Sequence, residues 1–385
     1  MEKKKRNRQI TISFLAFLGL ASFLSLVWPQ RGFSPSENRY LKKRPEFSVS
    51  ALVDGSFGTA YEKYLEDQFP ARDSFIGIKT YAELAQGRRD VNGVYFGRDG
   101  YLLEKFDTED VEGELLHKNI GRLESFLLKT GERLGEDRVR AMLVPSASQV
   151  LEGKLPLLAA PYDQSQVRKR LAETVGEDCV IDVEAALAEH QTEDIYYRTD
   201  HHWTALGAYY GYRAWAGSMG VTPWEPEDFE IQTVSREFLG TVYSKVNVPH
   251  KPDSIELYLP RSDSQYEVYY DGAAEPAPMY TEKALEGKDK YAVYLDGNHG
   301  LTEIHNPDAS QSGDPDRKLL VIKDSFAHSF APFAANHYAE TYMIDLRYFN
   351  ADLEAFMEEK GVTDVLVLYQ IPGFAKEKTV SRLPQ

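Results

Sequence analysis

Beyond about residue 94, the chain alternates between short apolar runs and longer segments in which apolar residues recur at helical spacing. Runs such as Leu319-Leu320-Val321-Ile322 have the length and composition of buried strands, whereas Leu116, Ile120 and Leu123 lie on one face of a helix. The predicted strands are 139–144, 179–183, 194–197, 319–323, 342–346 and 365–369, and the predicted helices include 164–175, 184–190, 205–219 and 353–360. This alternation predicts an α/β fold with a parallel sheet covered on both faces, whose functional groups gather at the carboxyl ends of the strands.

Two regions depart from that alternation. Residues 94–103 predict a hairpin with its turn at Arg98-Asp99-Gly100. Residues 222 to about 318 are rich in tyrosine, proline and aspartate and contain short β-like pieces at 255–259 and 291–295. We interpret them as a β-rich insertion over the same edge of the sheet, within one domain that spans 94–385.

The N-terminal region predicts a membrane segment. Residues 1–9 form a tail with five positive charges and one negative charge, and residues 10–28 are an uncharged apolar run that ends at Trp28. A run of this length crosses a hydrocarbon core of about 30 Å, and lysines and arginines before it place the tail in the cytoplasm. A cleaved signal peptide is the alternative, but Val27-Trp28-Pro29-Gln30 is a poor cleavage site, so an uncleaved signal anchor is favoured. Residues 29–93 are then a juxtamembrane connector.

Charge and cysteine content restrict the function classes. The 44 basic and 60 acidic residues give a net charge of −16, which argues against nucleic acid as the main partner. The tail carries a net charge of +4, so −16 minus +4 leaves −20 on the remainder. Cys179 is the single cysteine, which excludes an intramolecular disulfide and indicates an ordinary core residue. An acidic exported domain without disulfides suits a bacterial cell surface or periplasm.

The stretch Asp200-His201-His202-Trp203 concentrates titratable and aromatic groups between a β-like run and a helix. Asp200 and His202 are spaced so that an extended or turn conformation places both on one side, with the carboxylate holding one ring nitrogen of the base. His201 would then point away, Trp203 would pack as a wall, and Thr204 would cap the following helix. A helix-start cluster of polar residues and metal ligation are the alternative interpretations.

Ser325 follows a predicted strand and begins a predicted helix. A serine needs a base within hydrogen-bond reach to act as a nucleophile, and its own backbone N–H at a helix start is a suitable oxyanion donor. Asn298 is a second candidate donor, and His299 and Arg347 are further candidates for substrate binding. Ser325 could instead be a simple helix cap, and Ser146, after another predicted strand, is a rival nucleophile.

Two motifs carry a resemblance to a known family. Residues 199–204 and Lys323-Asp324-Ser325-Phe326 resemble the DHHW family, which is similar to the SGNH hydrolase-like domains of the alginate O-acetylation proteins. The resemblance implies a flavodoxin-like three-layer α/β/α domain with Ser325 as nucleophile, His202 as base and Asp200 as orienting acid. It also implies acetyl transfer to, or removal from, an exported polysaccharide. Because His201 occupies the variable position of the Asp-x-His pair, the choice of base between the two histidines stays open.

The sequence therefore predicts a membrane-anchored, extracytoplasmic, serine-dependent O-acetyltransferase or acetyl esterase that needs no cofactor or metal. The expected partners are a polysaccharide, stacked on Trp203 and the tyrosines of the insertion, and a multipass membrane protein that supplies acyl groups. One alternative is a metal-dependent hydrolase that uses Asp200, His202, His299 and His328. The other is a polysaccharide-binding scaffold without catalytic activity.

Overall fold

A computed structural model describes residues 2–34, 39–262, 265–307 and 316–385. Parts of the predicted connector, 35–38, and of the predicted insertion, 263–264 and 308–315, lie outside the described residues. The chain forms two compact units, Met1–Arg88 with Ser244–Pro249, and Arg89–Tyr243 with His250–Gln385.

The first unit contains one long apolar helix, three shorter helices and a two-stranded ribbon. The helices are α1 (Glu2–Val27), α2 (Val49–Val53), α3 (Ser56–Asp67) and α4 (Arg72–Ala85), and the strands are β1 (Phe33–Ser34) and β2 (Arg39–Tyr40), paired antiparallel. Within α1, Lys4–Ser25 is the one described stretch that is long and apolar enough to cross a bilayer, a property that signal sequences share.

The second unit is built on a six-stranded mixed sheet and two small antiparallel sheets. Its strands are β3 (Asp90–Val91), β4 (Val94–Phe96), β5 (Leu102–Glu104), β6 (Val139–Val144), β7 (Phe229–Phe238), β8 (Asp253–Pro260), β9 (Glu267–Tyr270), β10 (Leu301–His305), β11 (Lys318–Lys323), β12 (Glu340–Ile344) and β13 (Asp364–Gln370). Its helices are α5 (Thr108–Val111), α6 (Glu114–Leu134), α7 (Ala147–Val150), α8 (Ser165–Val175), α9 (Val183–Ala188), α10 (Ala205–Ser218), α12 (Ala327–Ala334), α13 (Leu353–Lys360) and α14 (Ile371–Lys376), and α11 (Thr241–Val246) begins in it.

The order of the main sheet is β6-β13-β11-β12-β10-β9. Strands β6, β13, β11 and β12 run parallel, as the sequence predicts. The prediction of a parallel sheet with a separate β-rich insertion is incomplete, because β10 and β9 come from that insertion and extend the same sheet by antiparallel pairing. The small sheets are β3-β4-β5, which contains the predicted hairpin, and β7-β8.

Both faces of the main sheet are covered because its central strands are apolar at successive positions. Leu319 and Val321 of β11 pack in one cluster with residues of α10 and α12 such as Phe330, whereas Leu320 and Ile322 pack in another with residues of α6 and α13. Each fully buried aliphatic side chain contributes about 1.5–3 kcal/mol to folding. The helices that alternate with the strands therefore form two hydrophobic cores, one on each face of the sheet.

Three predicted strands are not strands of a sheet. The run 179–183 becomes the 3₁₀ helix Glu177–Cys179 and a single bridge from Val180 to Ala141 of β6, after which Asp182 caps α9. The run 291–295 is largely the 3₁₀ helix Lys290–Val293. The run 194–197 makes one bridge, from Tyr196 to Trp203. Short apolar runs satisfy burial in any of these conformations, so periodicity does not separate them.

Candidate active site

Ser325 lies in the turn that joins β11 to α12, and neighbouring backbone fixes that turn. The Asp324 carboxylate accepts hydrogen bonds from the N–H groups of Phe326 (2.9 Å) and Gln370 (2.8 Å). The Asp324 N–H donates to the carbonyl of Leu368 (3.2 Å). The turn is therefore held between β13 and the start of α14, with Ser325 only half-buried.

Asp200, His202 and Ser325 form a continuous hydrogen-bonded series. The Asp200 carboxylate lies 2.6 Å from His202 Nδ1 and also accepts the His202 backbone N–H at 3.1 Å. His202 Nε2 lies 2.8 Å from Ser325 Oγ. Because an ionised carboxylate only accepts, Nδ1 carries the proton and Nε2 is left to accept from the serine hydroxyl.

The loop that carries Asp200 and His202 is closed on itself. Tyr197 N–H donates to the His202 carbonyl (3.2 Å), and Thr204 N–H donates to the Ile195 carbonyl (3.0 Å). Thr204 caps α10 by accepting the Gly207 N–H, as predicted. The six residues between the bridged positions Tyr196 and Trp203 therefore project as one tight loop.

Buried Asp253 of β8 anchors the start of this loop. It accepts hydrogen bonds from the N–H groups of Arg198 (3.0 Å) and Thr199 (2.8 Å) and from the Thr199 hydroxyl (2.6 Å). Burial raises the pKa of Asp253, against the lowering effect of these bonds. The carboxylate supplies acceptors to loop N–H groups that have no strand partner.

Gly240 and Thr241 hold the second oxygen of Asp200. Thr241 donates to it from its N–H (2.7 Å) and from its hydroxyl (2.9 Å). A Cβ on Gly240 would lie 2.3 Å from the same oxygen, so no other residue fits there without displacing the carboxylate. Both Asp200 oxygens are thus saturated and their positions fixed.

The His202 ring lies between two other rings. Tyr291 stacks on it with centroids 3.8 Å apart and planes at 11°, and His201 lies on it at 3.8 Å and 38°. The Tyr291 hydroxyl donates to the Ser325 carbonyl (3.2 Å) and lies 3.0 Å from Ser329 Oγ. Tyr291 therefore contacts both the base and the segment that carries the serine.

The electrostatics of the site favour a neutral imidazole beside an ionised carboxylate. Burial, reinforced by His201, lowers the pKa of His202 to about 4, although Asp200 opposes this shift. Burial alone would raise the pKa of Asp200, but the two histidines hold it well below its usual range. The resting site is thus ready to accept a proton at His202 Nε2.

Two expectations about the motif are wrong. His201 does not point away, because its Nδ1 lies 2.7 Å from Thr241 Oγ1 and its ring contacts His202. Trp203 offers no stacking face to a sugar, because it is fully buried and its indole N–H donates to the Phe326 carbonyl (3.0 Å). Trp203 instead packs the loop against the start of α12.

The other candidates make separate contacts. Arg347 donates to both oxygens of buried Asp345 and to Asn298 Oδ1 (3.2 Å), and the hydrogen bonds to Asp345 raise its pKa. His299 pairs with Asp271 (2.9 Å) and Asp296 (3.4 Å). Ser146 is buried, hydrogen-bonded to Ser148 and Gln164.

A buried ionic cluster flanks Ser325. Lys323 Nζ lies 2.7 Å from His328 Nε2 and 3.6 Å from an oxygen of Asp345. Burial lowers the pKa of Lys323 to about 8, and burial together with Lys323 lowers the pKa of His328 well below its ordinary value. His328 lies in α12, the helix that follows the serine, and Asp345 follows β12, the strand next to β11.

Among the described residues, the group that could together hold a metal ion differs from the predicted ligands. Asp200, His201 and His202 have donor atoms within 4.8 Å of one another, whereas His328 is engaged by Lys323 and His299 by Asp271 and Asp296. Asp200 and His202 therefore belong both to this possible metal site and to the hydrogen-bonded series with Ser325.

Sequence reasoning missed Tyr291, Gly240, Thr241 and Asp253. The 3₁₀ helix that carries Tyr291 leaves no periodic signal, and Gly240-Thr241 resembles an ordinary turn. The one available signal was an apolar run, 291–295, within a tyrosine-rich segment.

An aspartate, a histidine and a serine joined in series on an α/β sheet are the arrangement found in serine hydrolases and acyltransferases. The resemblance to the DHHW family is confirmed, because the family model described as DHHW protein matches residues 166–344, a range that includes all three residues.

One curated relative is the probable alginate O-acetylase AlgJ of Pseudomonas putida, 25% identical over 211 residues. The match covers 53% of this chain and 51% of the relative, so the chain spans about half the length of that protein.

Two solved structures share the fold. A DHHW family protein from Eubacterium siraeum is 24% identical with a TM-score of 0.64, and the match covers 76% of this chain and 95% of that chain. Bacillus cereus PatB1, in a structure with a sulfonyl adduct, is 19% identical with a TM-score of 0.58, and the match covers 74% of this chain and 98% of that chain.

Proposed function

We propose that this protein is a serine-dependent O-acetyltransferase or acetyl esterase that acts on an exported or cell-surface polysaccharide. The observation that carries the proposal is the hydrogen-bonded series of Asp200, His202 and Ser325, with distances of 2.6 and 2.8 Å. The similarity to a probable alginate O-acetylase supports the acetyl group and the polysaccharide class.

In the first half of the reaction, Ser325 Oγ attacks the carbonyl carbon of an acetyl donor while His202 Nε2 accepts the hydroxyl proton. The Ser325 backbone N–H is the proposed donor to the developing oxyanion. His202 then gives its proton to the leaving group as the bond from carbon to the donor breaks, which leaves acetyl-Ser325.

In the second half, a sugar hydroxyl or water loses its proton to His202 and attacks the acetyl-serine. The Ser325 oxygen leaves and takes the proton back from His202, so an acetylated sugar or acetate is released and the enzyme is regenerated. Asp200 stays ionised and stabilises the imidazolium in both halves.

We further propose that α1 is an uncleaved anchor, with residues 1–9 cytoplasmic and 94–385 a catalytic domain outside the membrane. The supporting observation is the exposed, apolar Lys4–Ser25 stretch behind a basic tail. A reaction outside the membrane needs an acetyl donor there, and a multipass membrane protein that passes acyl groups across is the proposed partner.

Metal-dependent hydrolysis is the second candidate, and the donor set Asp200, His201 and His202 is the observation that favours it. Both Asp200 oxygens already accept hydrogen bonds, and His202 already contacts Asp200 and Ser325 at its two nitrogens. A metal would have to break this series. Activity that falls with removal of a stoichiometric metal and returns with it would favour this candidate.

The decisive experiment compares Ser325→Ala with the parent and with Ser146→Ala, which removes the rival serine. We expect Ser325→Ala to lose acetyl-ester turnover about 10³-fold or more. Intact-mass analysis should show an acetyl adduct on the parent and on Ser146→Ala, and none on Ser325→Ala. Undiminished turnover in folded Ser325→Ala protein would overturn the proposal.

A further inference from the structure

The first unit exposes large apolar side chains close to the end of α1. Trp28, Phe33, Tyr40, Phe75 and Ile78 are 45%, 39%, 83%, 47% and 63% exposed, and we call this set the juxtamembrane surface. Isolated exposed apolar residues need no explanation, but a group of them marks a site of interaction.

Hydrogen bonds tie the residues after α1 to the corner between α3 and α4. Gln30 donates to the Tyr64 hydroxyl (2.8 Å). Arg31 N–H donates to the Gln68 side chain (3.0 Å), which in turn donates to the carbonyls of Arg31 (2.9 Å) and Lys42 (3.2 Å). The residues just after α1 are therefore in direct contact with the corner at Gln68.

The same corner places α4 beside the end of α1. Asp73, in the first turn of α4, lies 3.7 Å from Arg31, and the ring of Phe69 packs edge-on against Phe75 at 5.4 Å. The β1–β2 ribbon adds Phe33 and Tyr40, whose rings meet at 5.4 Å. The β1–β2 ribbon and α4, which carry Phe33, Tyr40, Phe75 and Ile78, are thus the elements next to the residues that follow α1.

The apolar stripe of α4 is fixed in an outward orientation. Thr80 on the opposite face donates to the Val246 carbonyl (2.8 Å), and a Cβ on Gly77 would lie 2.6 Å from the Asn247 carbonyl oxygen. Rotating α4 to bury Phe75 and Ile78 would break both contacts. The exposure of these side chains is therefore built into the unit.

Basic residues border the surface. Lys42, Lys43 and Arg44 are all exposed and follow Tyr40 after one buried residue, Leu41, in a chain whose net charge is −16. Aromatic residues at the end of an apolar helix, followed by exposed cations, are the composition of segments that bind an anionic bilayer interface.

We propose that the juxtamembrane surface lies in the headgroup region of the membrane that α1 crosses, with Lys42, Lys43 and Arg44 facing anionic phospholipids. The proposal rests on the proposed anchor role of α1. Its occupant is lipid, because the surface continues from a helix of membrane-spanning length and has the aromatic and basic residues of an interface. A protein ligand on the same surface is an outcome that the experiment distinguishes.

The experiment uses the full chain in nanodiscs with anionic phospholipid, with Cys179→Ser as background. Single cysteines at Ile78, at Leu20 in α1 and at exposed Leu157 in the second unit carry an environment-sensitive fluorophore. Spin-labelled lipids with the label near the headgroup or deep in the acyl chain serve as quenchers. We expect headgroup-depth lipid to quench the Ile78 label several-fold more than the Leu157 label, and the difference to shrink when neutral lipid replaces anionic lipid.

Three results would overturn the proposal in distinguishable ways. An Ile78 label as unquenched as the Leu157 label, with Leu20 quenched by the deep label, would leave α1 in the membrane and remove the surface from it. Protection of Ile78 only after a purified membrane protein is added would assign the surface to protein. An unquenched Leu20 label would remove the anchor itself, whatever the esterase activity of the sample.

Discussion

At the scale of single residues, His202 is held by three neighbours with separate effects. Asp200 fixes the tautomer through Nδ1, Ser325 occupies Nε2, and Tyr291 covers one ring face. The hydrogen bond from the Tyr291 hydroxyl to the Ser325 carbonyl joins base and nucleophile by a second path. Small displacements of either group are thereby resisted, which matters because proton transfer needs heavy atoms within about 3.2 Å.

Substitution of Tyr291 should separate stacking from hydrogen bonding. Tyr291→Phe keeps the ring and loses the hydroxyl bonds to Ser325 and Ser329. Each bond contributes about 0.5–1.5 kcal/mol, so the two together contribute about 1–3 kcal/mol and we expect kcat/KM to fall about 5–150-fold. Tyr291→Leu also loses the ring contact and should fall further. Tyr294→Phe, whose hydroxyl bonds the Glu256 carbonyl, is the matched control. Equal kcat/KM in all four proteins would refute a positioning role for Tyr291.

The pKa of His202, about 4, sets the acid limit of the reaction. The base must be neutral, so kcat/KM should stay level through neutral pH and fall about tenfold per unit below the His202 pKa. Because this pKa lies below the unfolded value of about 6.5, stability should also decline as pH falls from about 6.5 to about 4.

His201 contributes to that limit, because it lowers the pKa of His202. In His201→Asn the acid limb of the pH profile should move to higher pH, whereas His190→Asn, which removes a histidine paired with Glu193, should leave the limb in place. A limb that moves to lower pH in His201→Asn would contradict this account.

At the scale of elements, the site is assembled from turns on several separate segments. The serine follows β11, the Asp–His loop precedes α10, and the Gly240-Thr241 turn joins β7 to α11. The sequence predicted β11 and α10 well, because β11 has the composition of a buried strand and α10 follows a capping threonine. It wrongly predicted 179–183, 194–197 and 291–295 as strands of a sheet. These runs are rich in β-branched and aromatic residues, which 3₁₀ turns and single bridges bury as well as strands do.

Gly240→Ala tests the close approach of that turn to Asp200. Its Cβ would lie 2.3 Å from an Asp200 oxygen, so the carboxylate or the turn must shift. We expect a loss of about 1–3 kcal/mol in the free energy of unfolding and a lower kcat. The control is Gly217→Ala in α10, where a Cβ meets nothing within 4 Å and should stabilise the helix by about 0.5–1 kcal/mol. Equal melting temperatures for the two variants would argue against the steric account.

At the scale of the whole molecule, the sequence motifs predicted a long-range contact that the pattern of apolar residues did not. The chemistry of Asp200, His202 and Ser325 predicted a meeting that spans 123 residues between His202 and Ser325. The pattern of apolar residues could not show that residues 267–270 and 301–305 extend the main sheet, because antiparallel strands need no helix between them. Nor could it show that Trp203 is fully buried, since a tryptophan beside a site motif can either line the site or pack in the core.

Membrane extraction tests the proposed anchor. We expect the full chain to remain in the membrane pellet through alkaline carbonate washing and to keep residues 1–28 by intact mass, because Lys4–Ser25 is long enough to span the bilayer. Replacing Leu15 and Leu18 with arginines should release it into the soluble fraction, whereas two arginines at exposed Leu157 and Leu158 should not. A mature N-terminus beyond residue 28 would show instead that the segment is a cleaved signal.

Strand β13 follows the other strands of the main sheet in the chain, yet lies between β6 and β11 and supplies the Gln370 N–H that holds Asp324. During synthesis the chain emerges from its N-terminus, so β6 and one edge of β11 stay unpaired until β13 has been made. The serine turn lacks its support until then. Such an order makes completion of the serine turn a late event in the folding of the newly made chain.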